Sequence, residues 1–262
     1  MSRAWRDVDL DALAHNARVL QGALAPGCRL MAVVKADAYG HGAFPVAHRL
    51  EQEGVEAFAV ACLAEGMDLR RMGVRGKILI LGYTPPEEAP LLCRWRLTQT
   101  VVDEHHGQAL AARGLPLAVH LALDTGMHRL GVPAEDHGAL ERLYALPHLK
   151  IEGVFSHLCV SDSLEAEDVA FTHLQLERFY GAVRWLRDHG YDPGAVHIQA
   201  SYGIWNLPPQ PCAWARAGIA LYGVASGGGP TARALDLRPA LSLRARVASV
   251  RTLSPGEGAG YG

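Results

Sequence analysis

Leu30-Met-Ala-Val-Val34, followed at once by Lys35, is a run of five apolar residues that ends on a charge. The run is short and continuous rather than alternating, which is the pattern of a strand buried on both faces. Working outward, runs of the same kind recur at Ala57–Cys62, Lys77–Leu81, Leu97–Val102, Ala118–Leu123, Ile151–Ser156, Ala195–Ala200 and Ala217–Tyr222. The segments between them carry helical spacing. Asp11–Leu24 places Leu13, Ala17, Leu20 and Leu24 on one stripe, and Gln175–Arg187 does so with Leu176, Phe179, Tyr180, Val183 and Leu186. Gly190 follows that second helix where a C-terminal glycine stop is expected. Eight strands with helices in most intervals predict an α/β fold, a (β/α)8 TIM barrel, for which ~250 residues is typical. An open doubly wound sheet is the competing arrangement.

Beyond the eighth run, Ala225-Ser-Gly-Gly-Gly-Pro-Thr231 reads as a flexible link. No Lys-Ser/Thr follows its glycines, so a phosphate loop is the weaker reading. From Leu241 the pattern becomes Leu-Ser-Leu-Arg-Ala-Arg-Val-Ala-Ser-Val-Arg-Thr, in which apolar and polar or charged residues alternate as in a half-exposed strand. Residues 1–235 are therefore expected to form the barrel. Residues 236–262 are expected to begin a second, β domain whose remainder is absent from the 262-residue chain.

The balance of 25 Lys+Arg against 27 Asp+Glu lacks the basic field of a nucleic-acid binder. No apolar stretch approaches the ~18–20 residues of a membrane helix, and the first residues do not read as a signal peptide. Five scattered cysteines never form C-x-x-C, so neither a disulfide framework nor a metal site is expected. A cytoplasmic protein is the expectation.

Barrel enzymes place their chemistry at the C-terminal ends of the strands. Lys35 stands at the first such end, where a lysine serves either as an amine nucleophile or merely as a side chain reaching solvent. The fifth end reads Asp124-Thr-Gly-Met-His-Arg129-Leu-Gly131, the sixth Phe155-Ser-His157-Leu-Cys159, and the seventh Gln199-Ala-Ser201-Tyr-Gly203. A lone histidine such as His157 is more often packed than catalytic. The last run carries Arg216-Ala-Gly218-Ile219, with Arg216 read at the start of the strand. An arginine there is costly unless something fixed pairs with it. Amides near Gly218 suit the anion site common after strands seven and eight. Together these residues make a pocket for pyridoxal 5'-phosphate (PLP) plausible.

Val34-Lys-Ala-Asp-Ala-Tyr-Gly-His-Gly42, Asp124-Thr-Gly-Met-His-Arg-Leu-Gly131 and Arg216-Ala-Gly-Ile-Ala-Leu-Tyr-Gly223 together resemble the alanine racemases, PLP enzymes of fold type III. The segment Gly256-Glu-Gly-Ala-Gly-Tyr261-Gly262 resembles the start of their C-terminal β domain. Leu97-Thr-Gln-Thr100, His157-Leu-Cys159 and His197-Ile-Gln-Ala-Ser-Tyr-Gly-Ile204 are similar to the racemase domain of vancomycin-resistance-type serine racemases. The resemblance implies interconversion of L- and D-alanine or L- and D-serine by two opposed bases, supplying D-amino acid for peptidoglycan precursors. It makes Lys35 the residue that holds PLP covalently and acts as one base, and Tyr261 the other, reaching into a second subunit of a head-to-tail homodimer. Tyr39, Ser201 and the amides of Gly218 and Ile219 would bind the phosphate. Arg216 would face the pyridine nitrogen, Arg129 the phenolic oxygen, and His157 would pack on the ring. The chain departs from the family at Ala122, where many relatives have a lysine that positions the arginine, and at Ala200, which replaces a frequent asparagine. A non-catalytic single-barrel PLP protein is the alternative, opposed by Tyr261 and the strand beyond the barrel. A fold-type III decarboxylase is opposed by the residues around Arg129.

Overall fold

The structure is a computed structural model and describes residues 3–226 and 229–261. Its strands are β1 (Ala4–Val8), β2 (Arg29–Val33), β3 (Ala57–Val60), β4 (Lys77–Ile80), β5 (Thr98–Val101), β6 (Leu117–Asp124), β7 (Val132–Pro133), β8 (Leu149–Phe155), β9 (Ala195–His197), β10 (Trp214–Ala217) and β11 (Leu241–Ala245). The helices are α1 (Leu10–Gly22), the single turn α2 (Lys35–Tyr39), α3 (Ala43–Gln52), α4 (Leu63–Arg71), α5 (Ala89–Trp95), α6 (Glu104–Ala111), α7 (His137–Tyr144), α8 (Ala166–Asp188) and α9 (Ser201–Asn206). Eight strands pair in parallel in the order β10-β2-β3-β4-β5-β6-β8-β9. The two ends of that path meet: Ala213 N–H donates to Val196 O at 2.8 Å and Arg216 N–H to Gln199 O at 2.9 Å. The sheet is a barrel, and the open-sheet alternative falls.

Why the strand runs are continuously apolar is visible in β2. Leu30 and Ala32 join the layer between strands and helices, whereas Met31 and Val33 pack inside the barrel with Ala57, Ala59, Leu79 and Trp214. Both faces of the strand are thus removed from water. On β6, Val119, Leu121 and Leu123 belong to the outer layer. The alternation turns His120 and Ala122 inward.

Local chemistry sets the helix ends. Asp9 caps α1 by accepting the amides of Asp11 and Ala12, each at 2.9 Å. Gly190, at φ +81°, stops α8 as expected, with Tyr191 N–H closing back on Leu186 O at 2.9 Å.

Two expectations need correction. The eighth strand is Trp214–Ala217, not Ala217–Tyr222, and Ile219–Tyr222 form a 3-10 turn. That apolar run is buried by packing at the barrel end rather than by strand pairing. Arg216 is accordingly the third of four strand residues and lies at the strand's C-terminal end, beside the other site residues. Of the link Ala225–Thr231, Gly227 and Gly228 lie outside the described residues.

Leu241–Ala245 is indeed a strand, but every one of its residues is exposed, so the half-buried expectation is not met. It pairs antiparallel with β1, Val8 opposite Leu241 and Ala4 opposite Ala245, and Arg244 bridges Asp7 at 2.6 Å. The pairing partner from the N-terminus was not anticipated. Ala-Trp-Arg-Asp-Val carries neither helical nor strand periodicity.

Candidate active site

Lys35 leaves β2 on a backbone that the sequence does not announce. Ala36, Asp37, Ala38 and Tyr39 all have φ between 51° and 55°. A left-handed turn of non-glycine residues costs roughly 1–2 kcal/mol per residue and survives only where its surroundings determine it. Those surroundings are specific. Glu65 on α4 accepts the amides of Ala36 at 2.8 Å and Ala61 at 2.7 Å, tying the turn to the end of β3. Asp37 accepts the amide of Ala43 at 2.7 Å, capping α3, and Arg6 donates to the carbonyl of Gly40. Tyr222 packs under Tyr39 and His41 and donates to Val33 O at 3.0 Å. The result places both Lys35 and Tyr39 on one cavity wall.

That cavity, about 410 Å³, opens at the C-terminal ends of the strands. Arg129, His157, Ser201, Arg216, Gly218 and Ile219 line it with Lys35 and Tyr39. Eight of the nine expected site residues therefore converge. The ninth, Tyr261, is wholly exposed and lies away from the cavity.

Arg216 is 3% exposed and has no carboxylate partner among the described residues. Neutral acceptors hold it instead. One terminal nitrogen, Nη1, donates to His197 Nδ1 at 2.9 Å and His197 O at 3.1 Å. The other, Nη2, donates to Ser156 O at 2.6 Å and lies 3.3 Å from His157 Nδ1. Burial, then the nearby Arg129 cation, pushes its guanidinium down to about 10, so it stays charged at neutral pH. His157 is pushed down to about 3 by burial first and then by Arg216, Arg129 and Lys35, and is neutral. Among the described lining residues Asp162 is the one carboxylate, against Lys35, Arg129 and Arg216. The pocket is built for an anion.

Ser201 Oγ accepts the amides of Gly218 at 3.0 Å and Ala220 at 3.2 Å, which leaves its hydroxyl hydrogen free to donate toward the cavity. The Gly218 amide is thus directed to Ser201. Gly218 has a further reason to lack a side chain: a Cβ there would stand 2.6 Å from Tyr39 Oη.

Residues that sequence reading missed hold this set in place. Gln175, fully buried on α8, donates to Thr125 Oγ1 and His157 O, each at 3.2 Å, and accepts the Cys159 amide at 3.1 Å. Thr125 Oγ1 in turn lies 2.8 Å from Ser156 Oγ. The only signal for Gln175 was a polar residue beside the apolar stripe of a helix.

A parallel barrel with a strand-end lysine, a buried arginine without a carboxylate partner among the described residues, and a glycine-opened cradle defines a class of barrel proteins whose C-terminal mouth suits an anionic ligand. The chain belongs to the alanine racemase family: the family model "Alanine racemase, N-terminal domain" matches residues 8–226. It is 42% identical over 260 residues to an amino-acid racemase of Enterococcus faecalis, covering 99% of this chain and 36% of that protein. It is 41% identical over 263 residues to a serine/alanine racemase of Enterococcus gallinarum, covering 100% and 38%. Among solved structures, alanine racemase of Clostridium difficile 630 in complex with cycloserine superposes with a TM-score of 0.89 at 31% identity, over 96% of this chain and 70% of that one. The chain thus spans little more than a third of the length of the two Enterococcus relatives.

Proposed function

We propose that the chain is the cofactor-bearing barrel of a PLP-dependent amino-acid racemase acting on alanine or serine. The observation that carries this reading is the position of Lys35. Of the three lysines in the sequence, Lys35 lines the cavity, while Lys77 and Lys150 are exposed and pair with Glu152 toward the opposite ends of the strands. The pocket fits PLP on its own terms. Its cations match a phosphate and a phenolate, and the space over Gly218, bounded by the Tyr39 and Ser201 hydroxyls, suits the phosphate.

Lys35 Nζ would anchor the cofactor, and Tyr39, Ser201 and the Ile219 amide would hold its phosphate. Arg129 would meet the phenolic oxygen and His157 would pack on the ring. When bound, PLP acidifies the α-proton of an attached amino acid by withdrawing its electron density. Arg216 presents only N–H donors, so an acceptor facing it stays unprotonated and draws electrons weakly. That restraint suits a proton exchange without side reactions. Lys35 would hold the proton on one face of the substrate and Tyr261 on the other, as inversion requires.

The exposed position of Tyr261 is in keeping with a head-to-tail homodimer in which it serves a second copy's barrel. Supply of D-amino acid for peptidoglycan precursors, in the cytoplasm, is the role this activity serves. The relatives named as racemases favour this reading over a single-barrel PLP-binding protein. The test is chiral analysis of L-Ala and L-Ser incubated with PLP and this chain carrying a family C-terminal domain. Formation of the D-enantiomer is expected. Tight PLP binding with no inversion of either substrate would overturn it.

A further inference from the structure

The interior of a barrel is ordinarily filled with apolar side chains, and one side of this one is, with Met31, Val33, Leu79 and Trp214. Across from them runs a polar chain. Arg216 Nη1 lies 2.9 Å from His197 Nδ1, and His197 Nε2 lies 2.9 Å from His120 Nδ1. Both imidazoles are buried, and His197 stacks on Phe155, with ring centroids 4.9 Å apart. His120 does not line the cavity.

Proton placement along this chain follows from donor chemistry. A guanidinium has donors only, so His197 Nδ1 must present its lone pair to Arg216. A neutral His197 then carries its proton on Nε2, and that proton points at His120 Nδ1, which must accept it. His120 in turn carries its own proton on Nε2. Both rings are obliged to be the same tautomer, and the order is set from the arginine inward.

The backbone makes room for this arrangement. The pairing of β6 with β8 shifts register between Val119 and His120, the kind of irregularity that re-aims a side chain. Opposite it stands Gly153, where a Cβ would lie 2.7 Å from His120 Cε1 and 2.9 Å from its Nδ1. The ring occupies space that any other residue at 153 would need.

We propose that His120, which does not line the cavity, is a positioning residue for Arg216: by accepting the Nε2–H of His197 it locks His197 in the tautomer that offers Arg216 a lone pair. The consequence for chemistry rests on the reading that Arg216 faces a bound cofactor, but the relay itself does not. Without an acceptor at 120, His197 would bury an unpaired N–H. It could escape only by moving the proton to Nδ1, where it would confront the arginine's own donor.

The test separates the two. Long-range proton–nitrogen correlation spectra of the histidine-labelled chain, recorded without PLP, should show both His120 and His197 neutral and protonated at Nε2. In His120→Leu, His197 should lose that signature and the Arg216 side-chain resonances should move. His120→Asn, whose side-chain carbonyl reaches the same place, should restore both. With PLP bound, in the protein carrying its C-terminal domain, His120→Leu should lower kcat about tenfold or more, the size seen when orienting partners are removed, with KM nearly unchanged. Asn should recover most of that loss. An Nδ1-protonated or cationic His197 in the unaltered protein would overturn the proposal, as would a Leu variant whose His197 and Arg216 signals do not change. Failure of PLP to bind would contradict the cofactor reading while leaving the tautomer result intact.

Discussion

A methyl group at Gly218 would stand 2.6 Å from the hydroxyl oxygen of Tyr39, on the wall where Ser201 also points. Gly218 has φ −103° and ψ −105°, so its φ is not left-handed, and a side chain there would first meet the Tyr39 hydroxyl. Gly218→Ala is therefore expected to displace Tyr39 and fill the anion cradle. PLP titration followed by absorbance should show at least tenfold weaker binding, about 1.4 kcal/mol. Unchanged affinity would mean that the phosphate sits elsewhere.

Glu65 makes the second prediction. Its two carboxylate oxygens accept two amides from different segments, Ala36 and Ala61. Gln in its place can accept with one oxygen only and turns an NH2 toward the other amide. Glu65→Gln should cost about 1–3 kcal/mol, read as a lower midpoint in urea. It should also loosen the left-handed turn after Lys35, so that PLP occupancy falls more than it does for Asp68→Asn on the same helix. Equal occupancy in both variants would show that the turn holds without the clamp.

Acid should unfold the barrel through its interior. Burial holds His120 down to about 4 and His197 well below the usual histidine range; Arg216 adds to the effect in both, and Glu152 opposes it at His120. Unfolded histidines titrate near 6.5. As pH falls, the unfolded chain binds protons before the folded one does, so this contribution to stability is complete above about pH 7 and shrinks steadily below 6.5. At pH 5 the loss is about 2 kcal/mol for His120, and His197 adds to it in the same direction. Denaturation midpoints at pH 7.5 and pH 5 should differ accordingly, and His120→Asn should narrow the gap. A midpoint independent of pH over that interval would contradict the burial of neutral rings.

Tyr261 is wholly exposed, and among the described residues β11 pairs with β1 alone. As the proposed second base, an exposed Tyr261 lacks the placement that proton transfer needs, at a cost of ~10²-fold or more. This chain is expected to bind PLP yet racemise far more slowly than a version carrying a C-terminal β domain, compared at equal PLP occupancy. Equal turnover by both would show that the barrel suffices without an ordered Tyr261.

What could be read in the sequence was what strand ends display. Lys35, Arg129, His157 and Ser201 each follow an apolar run, and the barrel brings all four to one mouth. Arg216 was found although its strand was placed three residues too late, because the apolar Ile219–Tyr222 looks the same whether buried by pairing or by packing. The parts that stayed hidden act across the chain. Glu65 reaches back from α4, Gln175 from α8, and His120 meets His197 from 77 positions away. No local period marks such contacts. The left-handed turn was hidden for a related reason: Ala-Asp-Ala-Tyr has no glycine to signal positive φ, and only tertiary contacts impose it.

Whether Lys35 carries the cofactor can be tested cleanly, because the chain has three lysines. The protein is incubated with PLP, reduced with borohydride, digested and mapped by mass spectrometry. The pyridoxyl adduct is expected on Lys35, at one per chain, and absent from Lys35→Ala, in which Lys77 and Lys150 remain. An adduct borne mainly by Lys77 or Lys150, or one that persists undiminished in the Lys35→Ala protein, would show that Lys35 is not the cofactor's anchor.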